Sequence, residues 1–201
     1  MMRARVHRGR RAGRRTTKAT EILARLEPQE SSVVLASLLA KHPMLADEAE
    51  LIARAVVASV EAGTVAEEVE QAVMGVDMEE MGAHSGRKSW GYVEPTDAAW
   101  ELLEDTLEPF LVQMKRLVEL GLENAAGVYC EGMVLGLYRC RGSHEDLALA
   151  WAQDFPLEGA GNAVSALRRA CGGGSRRGWR PSAAFFDQVP EWSDRLKRAA
   201  R

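Results

Sequence analysis

Asn124-Ala125-Ala126-Gly127-Val128-Tyr129-Cys130-Glu131-Gly132-Met133-Val134-Leu135-Gly136-Leu137-Tyr138-Arg139 is the stretch whose reading decides the fold. At helical spacing one stripe runs through Ala126, Cys130, Met133 and Leu137 to Cys140, and a second through Ala125, Tyr129, Gly132 and Gly136. Apolar or small residues on two sides require cover on two sides, which predicts the central helix of an all-helical domain. Gly132 and Gly136 weaken the helix but permit a neighbouring backbone to come close.

Working outward, Pro95-Thr96-Asp97 opens a long helix whose stripe is Trp100, Leu103, Leu107, Phe110, Met114 and Leu117, with a bend expected at Pro109. Gly121 turns the chain between the two. Upstream, Val65, Val69, Ala72, Val73 and Val76 form a stripe after Thr64 and Glu67, which have capping-box spacing. Gly63 is expected to close an earlier amphipathic helix carrying Leu45, Ala49, Ile52, Ala53, Val56, Val57 and Val60. Ser31 or Ser32 is expected to cap one carrying Val34, Leu35, Leu38 and Leu39, and a short helical pattern from Thr20 ends at Pro28. Downstream, Asp146 to Gln153 reads as a helix, Pro156 starts another reaching Ala170, and two short helices begin near Pro181 and Pro190. No window alternates strictly at strand length, so no β-sheet is expected. The fold class is therefore all-α, with stacked antiparallel helical hairpins over 20–172, a basic tail over 1–19, and a Gly-rich linker with short helices over 173–201.

Leu120-Gly121-Leu122-Glu123-Asn124-Ala125-Ala126 resembles the mid-repeat turn of a tetratricopeptide repeat, where a glycine precedes a small residue by five positions; Ala126 matches it. Cys130 and Met133 stand where that family prefers an aromatic and an alanine. Arg87 to Leu137 is similar to the helical hairpin region of bacterial SWIM zinc-finger proteins, without their zinc-binding cysteine and histidine pattern. Both resemblances imply stacked helix pairs and a binding role, and neither implies catalytic residues.

Charge is uneven along the chain. Residues 1–20 carry eight cations (Arg3, Arg5, Arg8, Arg10, Arg11, Arg14, Arg15 and Lys18) and no acid, while 21–172 carry 11 basic and 26 acidic residues. The N-terminal cations are candidate phosphate contacts for nucleic acid. Arg8-Gly9-Arg10 resembles the core of an AT-hook, with His7 and Arg11 where that motif has prolines. No apolar run approaches the length of a membrane span, and the first dense one, Val33 to Ala40, begins too late for a signal peptide. Three cysteines, an odd number, point to a reducing compartment, and a cytoplasmic protein is expected.

Chemistry-bearing patterns are sparse. Among Cys130, Cys140, His144 and Cys171, only Cys140 and His144 approach the spacing of structural zinc ligands, so no metal is expected. The acidic clusters at 47–50, 67–70 and 77–80 lack the Glu-x-x-His of di-metal bundles. Gly172-Gly173-Gly174-Ser175 lacks the Gly-Lys-Ser/Thr ending of a phosphate loop, and His84-Ser85 is not a nucleophile elbow. No catalytic set and no cofactor are expected. The most site-like segment is a loop from Gly82 to Glu94, which gathers His84, Arg87, Lys88, Trp90 and Tyr92. It is either a partner-binding surface or a set of aromatic anchors for the following helix. The expected function is a non-enzymatic interaction or adaptor module with a protein partner. The alternatives are a nucleic-acid-associated protein acting through its basic tail, and an enzyme.

Overall fold

The computed structural model describes residues 22–89, 91–142, 147–172, 181 and 183–200. They form two compact units, Met1–Ala53 and Arg54–Arg201.

In the first unit, α1 (Pro28–Lys41) leads through a 3-10 turn (Pro43–Leu45) into α2 (Ala46–Val57), within which the unit ends. The helical residues 22–23 end ahead of Pro28, and Pro28 opens α1, because its missing N–H costs nothing in a first turn. Glu27 is the N-cap in place of the expected Ser31 or Ser32. Its carboxylate and that of Glu30 each accept the other's backbone N–H, and the Ser32 hydroxyl donates back to the Pro28 carbonyl at 2.9 Å. Neither α1 nor α2 buries a residue. The stripe expected to face a core is largely exposed, with Leu35 at 50% and Ile52 at 55%.

The second unit is helical around one element. It comprises α3 (Ala62–Met74), α4 (Met78–His84), strands β1 (Gly86–Lys88) and β2 (Gly91–Val93), α5 (Pro95–Glu119), α6 (Glu123–Arg139), a 3-10 turn (Ala148–Ala150), α7 (Phe155–Ala170), α8 (Ala183–Gln188), a 3-10 turn (Pro190–Trp192) and α9 (Ser193–Ala199). The doubly striped α6 is the central helix: Ala125, Ala126, Cys130, Gly132, Met133, Gly136 and Leu137 are all buried, against α3, α5 and α7. α5 runs unbroken through Pro109 and returns into α6 at Gly121, whose φ of +70° suits glycine. A β-carbon on Gly132 would meet Ala62 and Val65, and one on Gly136 would meet Ala66 and Val69, so α3 lies along α6 in the same direction. Trp100 stacks edge-on against Phe155 at 5.2 Å, and Gly159 abuts Leu107 and Leu137, which brings α7 alongside both α5 and α6. Phe185, Val189, Trp192 and Leu196, beyond the Gly-rich segment, belong to the same core.

Three local expectations are corrected. Gly63 does not close a helix: α2 ends at Val57, α3 starts at Ala62 with Glu61 as N-cap, and Gly63 sits in its first turn, so Thr64 and Glu67 form no capping box. Asp146–Gln153 forms no α-helix among its described residues, which give a 3-10 turn and, at Leu147, a bridge to Asp77. The chain is not free of sheet: β1 and β2 form a two-stranded antiparallel ribbon.

Candidate functional site

The segment read as a loop is built as a helix and a ribbon. Asp77 accepts the Glu80 N–H on its carboxylate at 2.8 Å and caps α4, and Glu79 and Glu80 lie in the first turn, where helix N-termini favour negative charge. The acidic cluster Asp77-Glu79-Glu80 is thus accounted for by a helix start. At the other end, the Lys88 ammonium donates to the Ala83 carbonyl at 2.6 Å and satisfies one of the carbonyls that a helix C-terminus leaves open. His84 Nδ1 lies 3.0 Å from the Glu80 carbonyl, so its ring is tied to its own helix.

The ribbon follows at once. Gly86 enters it with a φ of +85°, a conformation that L side chains avoid. The register pairs Gly86 with Val93, Arg87 with Tyr92 and Lys88 with Gly91. Directly opposed residues project from one face, so Arg87 and Tyr92 stand side by side, and Tyr92 is 65% exposed. Arg87, Lys88, Ser89, Gly91 and Tyr92 line an open depression of about 590 Å³. Val93 is half-buried and packs on the helical core, which fixes the ribbon's base.

Of the five residues singled out in the sequence, the structure therefore brings Arg87, Lys88 and Tyr92 together and turns His84 into the end of α4. Trp90 lies outside the described residues, as do the eight cations of the tail, Arg3 to Lys18. A two-stranded ribbon escaped the sequence because strands of three residues are too short to alternate. The usable signals were Asp77 three residues ahead of Glu80, marking a helix start, and the glycines at 86 and 91 flanking the turn.

Elsewhere in this unit several cations are engaged. Arg139 pairs with Glu70 at 3.3 Å, and Arg195 pairs with Glu158. The Arg141 guanidinium lies 3.7 Å above the Tyr138 ring and pairs with Glu191 at 3.3 Å, while Tyr138 itself stacks on Trp192. Among the described residues Arg87 has no ion-pair partner, and no three His, Cys, Asp or Glu side chains gather as a metal site. Cys130 and Cys140 are buried thiols. Burial, reinforced by the charges of Glu131 and Cys171, raises Cys130 far above the ordinary thiol range; burial with the charge of Glu70 pushes Cys140 up to about 12. Such groups remain protonated and serve as small apolar side chains. Among the described residues no helix is long and apolar enough to cross a membrane. No family model, curated protein or solved structure matches this chain.

Proposed function

We propose that the protein is a non-enzymatic helical interaction module whose β-ribbon presents Arg87 and Tyr92 to a protein partner. The observation that carries this is the pairing of an exposed cation with a 65% exposed aromatic across one ribbon, in a helical unit where the Tyr138–Arg141 pair is by contrast closed by Glu191 and Trp192. Tyrosine and arginine are the side chains that most often anchor interfaces, since each offers a flat apolar surface and a directed polar group. A partner segment with a carboxylate beside an apolar side chain fits the pair: the guanidinium takes the carboxylate in a fork and the ring covers the apolar neighbour. The ribbon is short and its base is fixed by Val93 and by the Lys88 cap, so the surface is preorganised at little entropic cost. Three cysteines, none of them in a disulfide, support placing the protein in the reducing cytoplasm.

The test separates binding from folding. Tyr92→Ala and Arg87→Glu should leave the melting temperature within the small range of surface substitutions, about 0.5 kcal/mol, and should abolish co-isolation of the partner. A destabilisation like that of deleting a buried aromatic, roughly 3–5 kcal/mol, would mark Tyr92 as an anchor and overturn the proposal.

A further inference from the structure

The register fixes which backbone groups of the ribbon are used. Ser89 and Trp90 separate Lys88 from Gly91, and a ladder bond one step nearer the turn would join two chain neighbours. Lys88–Gly91 is therefore the hydrogen-bonded pair that closes the turn, and bonded and unbonded pairs alternate along an antiparallel ladder. Arg87–Tyr92 is then an unbonded pair, with α-carbons about 4.5 Å apart and with the N–H and C=O of each residue pointing away from the other strand. Among the described residues neither backbone group of Tyr92 has another partner. Gly91 and Tyr92 are exposed, whereas Gly86 and Lys88 on either side of Arg87 are half-buried, so the edge that stands open is that of β2. Glu94 is still extended, with φ −66° and ψ 145°, which carries its N–H along the same edge.

We infer that the ribbon takes its partner by strand addition: an extended segment pairs with the edge of β2 through the Tyr92 backbone and sets a carboxylate against Arg87. This rests on the ribbon being a protein-binding surface, and it names the form of the partner. Two observations select an extended, acidic segment. The first is the backbone. A donor and an acceptor aimed outward from one residue of an edge strand are matched by another strand. A helix has its own backbone groups bonded internally and offers this edge nothing. The second is charge. Arg87 shares a face with Tyr92 one strand in from the edge, so an acidic residue of the added strand has its α-carbon about 10 Å from that of Arg87, two strand spacings away. Two long side chains span that distance. Glu94, two residues beyond Tyr92, lies on the same face, so the acid belongs toward the turn and an uncharged residue belongs beside Glu94. Alternate side chains of the added strand fall on the other face, beside Val93, where apolar residues fit because Val93 packs on the core.

The probe is an acetylated, amidated peptide of sequence Val-Glu-Val-Leu-Val, titrated into the isotope-labelled full chain and followed by NMR. Saturable shifts of the Tyr92 and Glu94 amide signals, with a dissociation constant of about 1 mM or lower, are the expected result. Replacing Tyr92 by its α-hydroxy acid keeps the ring and exchanges the backbone N–H for an ester oxygen. Because that N–H bonds nothing in the fold, the melting temperature should not move, while the affinity read at Glu94 should fall about fivefold or more, as for the loss of one hydrogen bond. Arg87→Glu should weaken binding by at least as much. Absence of saturable shifts, shifts that spare both Tyr92 and Glu94, or a lowered melting temperature of the ester variant would overturn the inference. Binding that ignores the ester yet is weakened by Arg87→Glu would exclude strand addition and leave the ribbon as a side-chain surface. Binding that ignores both changes would remove the ribbon from the recognition altogether.

Discussion

Gly136 lies so close to Ala66 that a β-carbon placed on it would stand 2.6 Å from the Ala66 carbonyl oxygen and 2.8 Å from the Val69 β-carbon. One turn earlier Gly132 repeats the relationship, at 2.7 Å from the Ala62 carbonyl and 2.6 Å from the Val65 β-carbon. The obstacle in each case includes backbone, which cannot rotate away. Gly136→Ala should therefore destabilise the second unit by about 1–3 kcal/mol, and Gly132→Leu by at least as much. Gly161, inside α7 with nothing within 4 Å of its virtual β-carbon, is the control; Gly161→Ala should stabilise by about 0.5–1 kcal/mol through helix propensity. Thermal or urea unfolding of the three variants reads both signs, and loss of stability in all three would contradict the close-approach account.

The same pair of glycines shows why the centre of the fold was legible. A helix with small residues on one stripe and apolar residues on the other has a single solution, burial on two sides, and α6 adopts it. The stripes of α3 and α5 were equally readable, since Val65, Val69 and Val73 and Leu103, Leu107, Met114 and Leu117 are buried as their spacing demands. Boundaries were less legible because they depend on single bonds. Pro28 could stop one helix or start another, and the reciprocal Glu27–Glu30 bonds favour the start. Gly63 could end α2 or sit in the first turn of α3, where the loss of helix propensity is tolerated. At the candidate site the residue types were visible in the sequence. Their grouping was not, since it depends on a register that pairs Arg87 with Tyr92.

The buried thiols make the stability depend on alkaline pH. The folded chain holds Cys140 protonated up to about 12, against 9.0 when unfolded, and holds Cys130 protonated as well. A thiol pKa raised by folding contributes stability that is fully present below the unfolded value and is lost as pH rises from there through the folded value. The melting temperature of the wild-type chain should thus fall faster above about pH 9 than that of Cys140→Ala or Cys130→Ala. Equal slopes would show that the thiols ionise freely in the folded state. At pH 8 a neutral alkylating reagent should reach the half-buried Cys171 first and the other two only on unfolding.

The eight cations of residues 1–20 carry a prediction that rests on charge alone. If they neutralise phosphates, binding to duplex DNA should be weak and independent of sequence, and should disappear when residues 1–19 are removed. The slope of log K against log salt has an upper bound of about −7 if every cation engages. Opposition from the 26 acidic residues of 21–172 should hold it well below that. Titration of both chains into labelled duplex at low salt checks this, and equal binding by the two would remove the tail from any role in nucleic-acid recognition.

The central claim is that the ribbon face bearing Arg87 and Tyr92 is a protein-binding surface. The most direct measurement replaces Tyr92 with a photoreactive benzoylphenylalanine in the native cell and resolves the adducts by mass. One discrete protein adduct, lost when Arg87→Glu is added and kept when the distant exposed Glu119→Gln is added instead, is the predicted result. Absence of any adduct, or an adduct indifferent to Arg87→Glu, would contradict it.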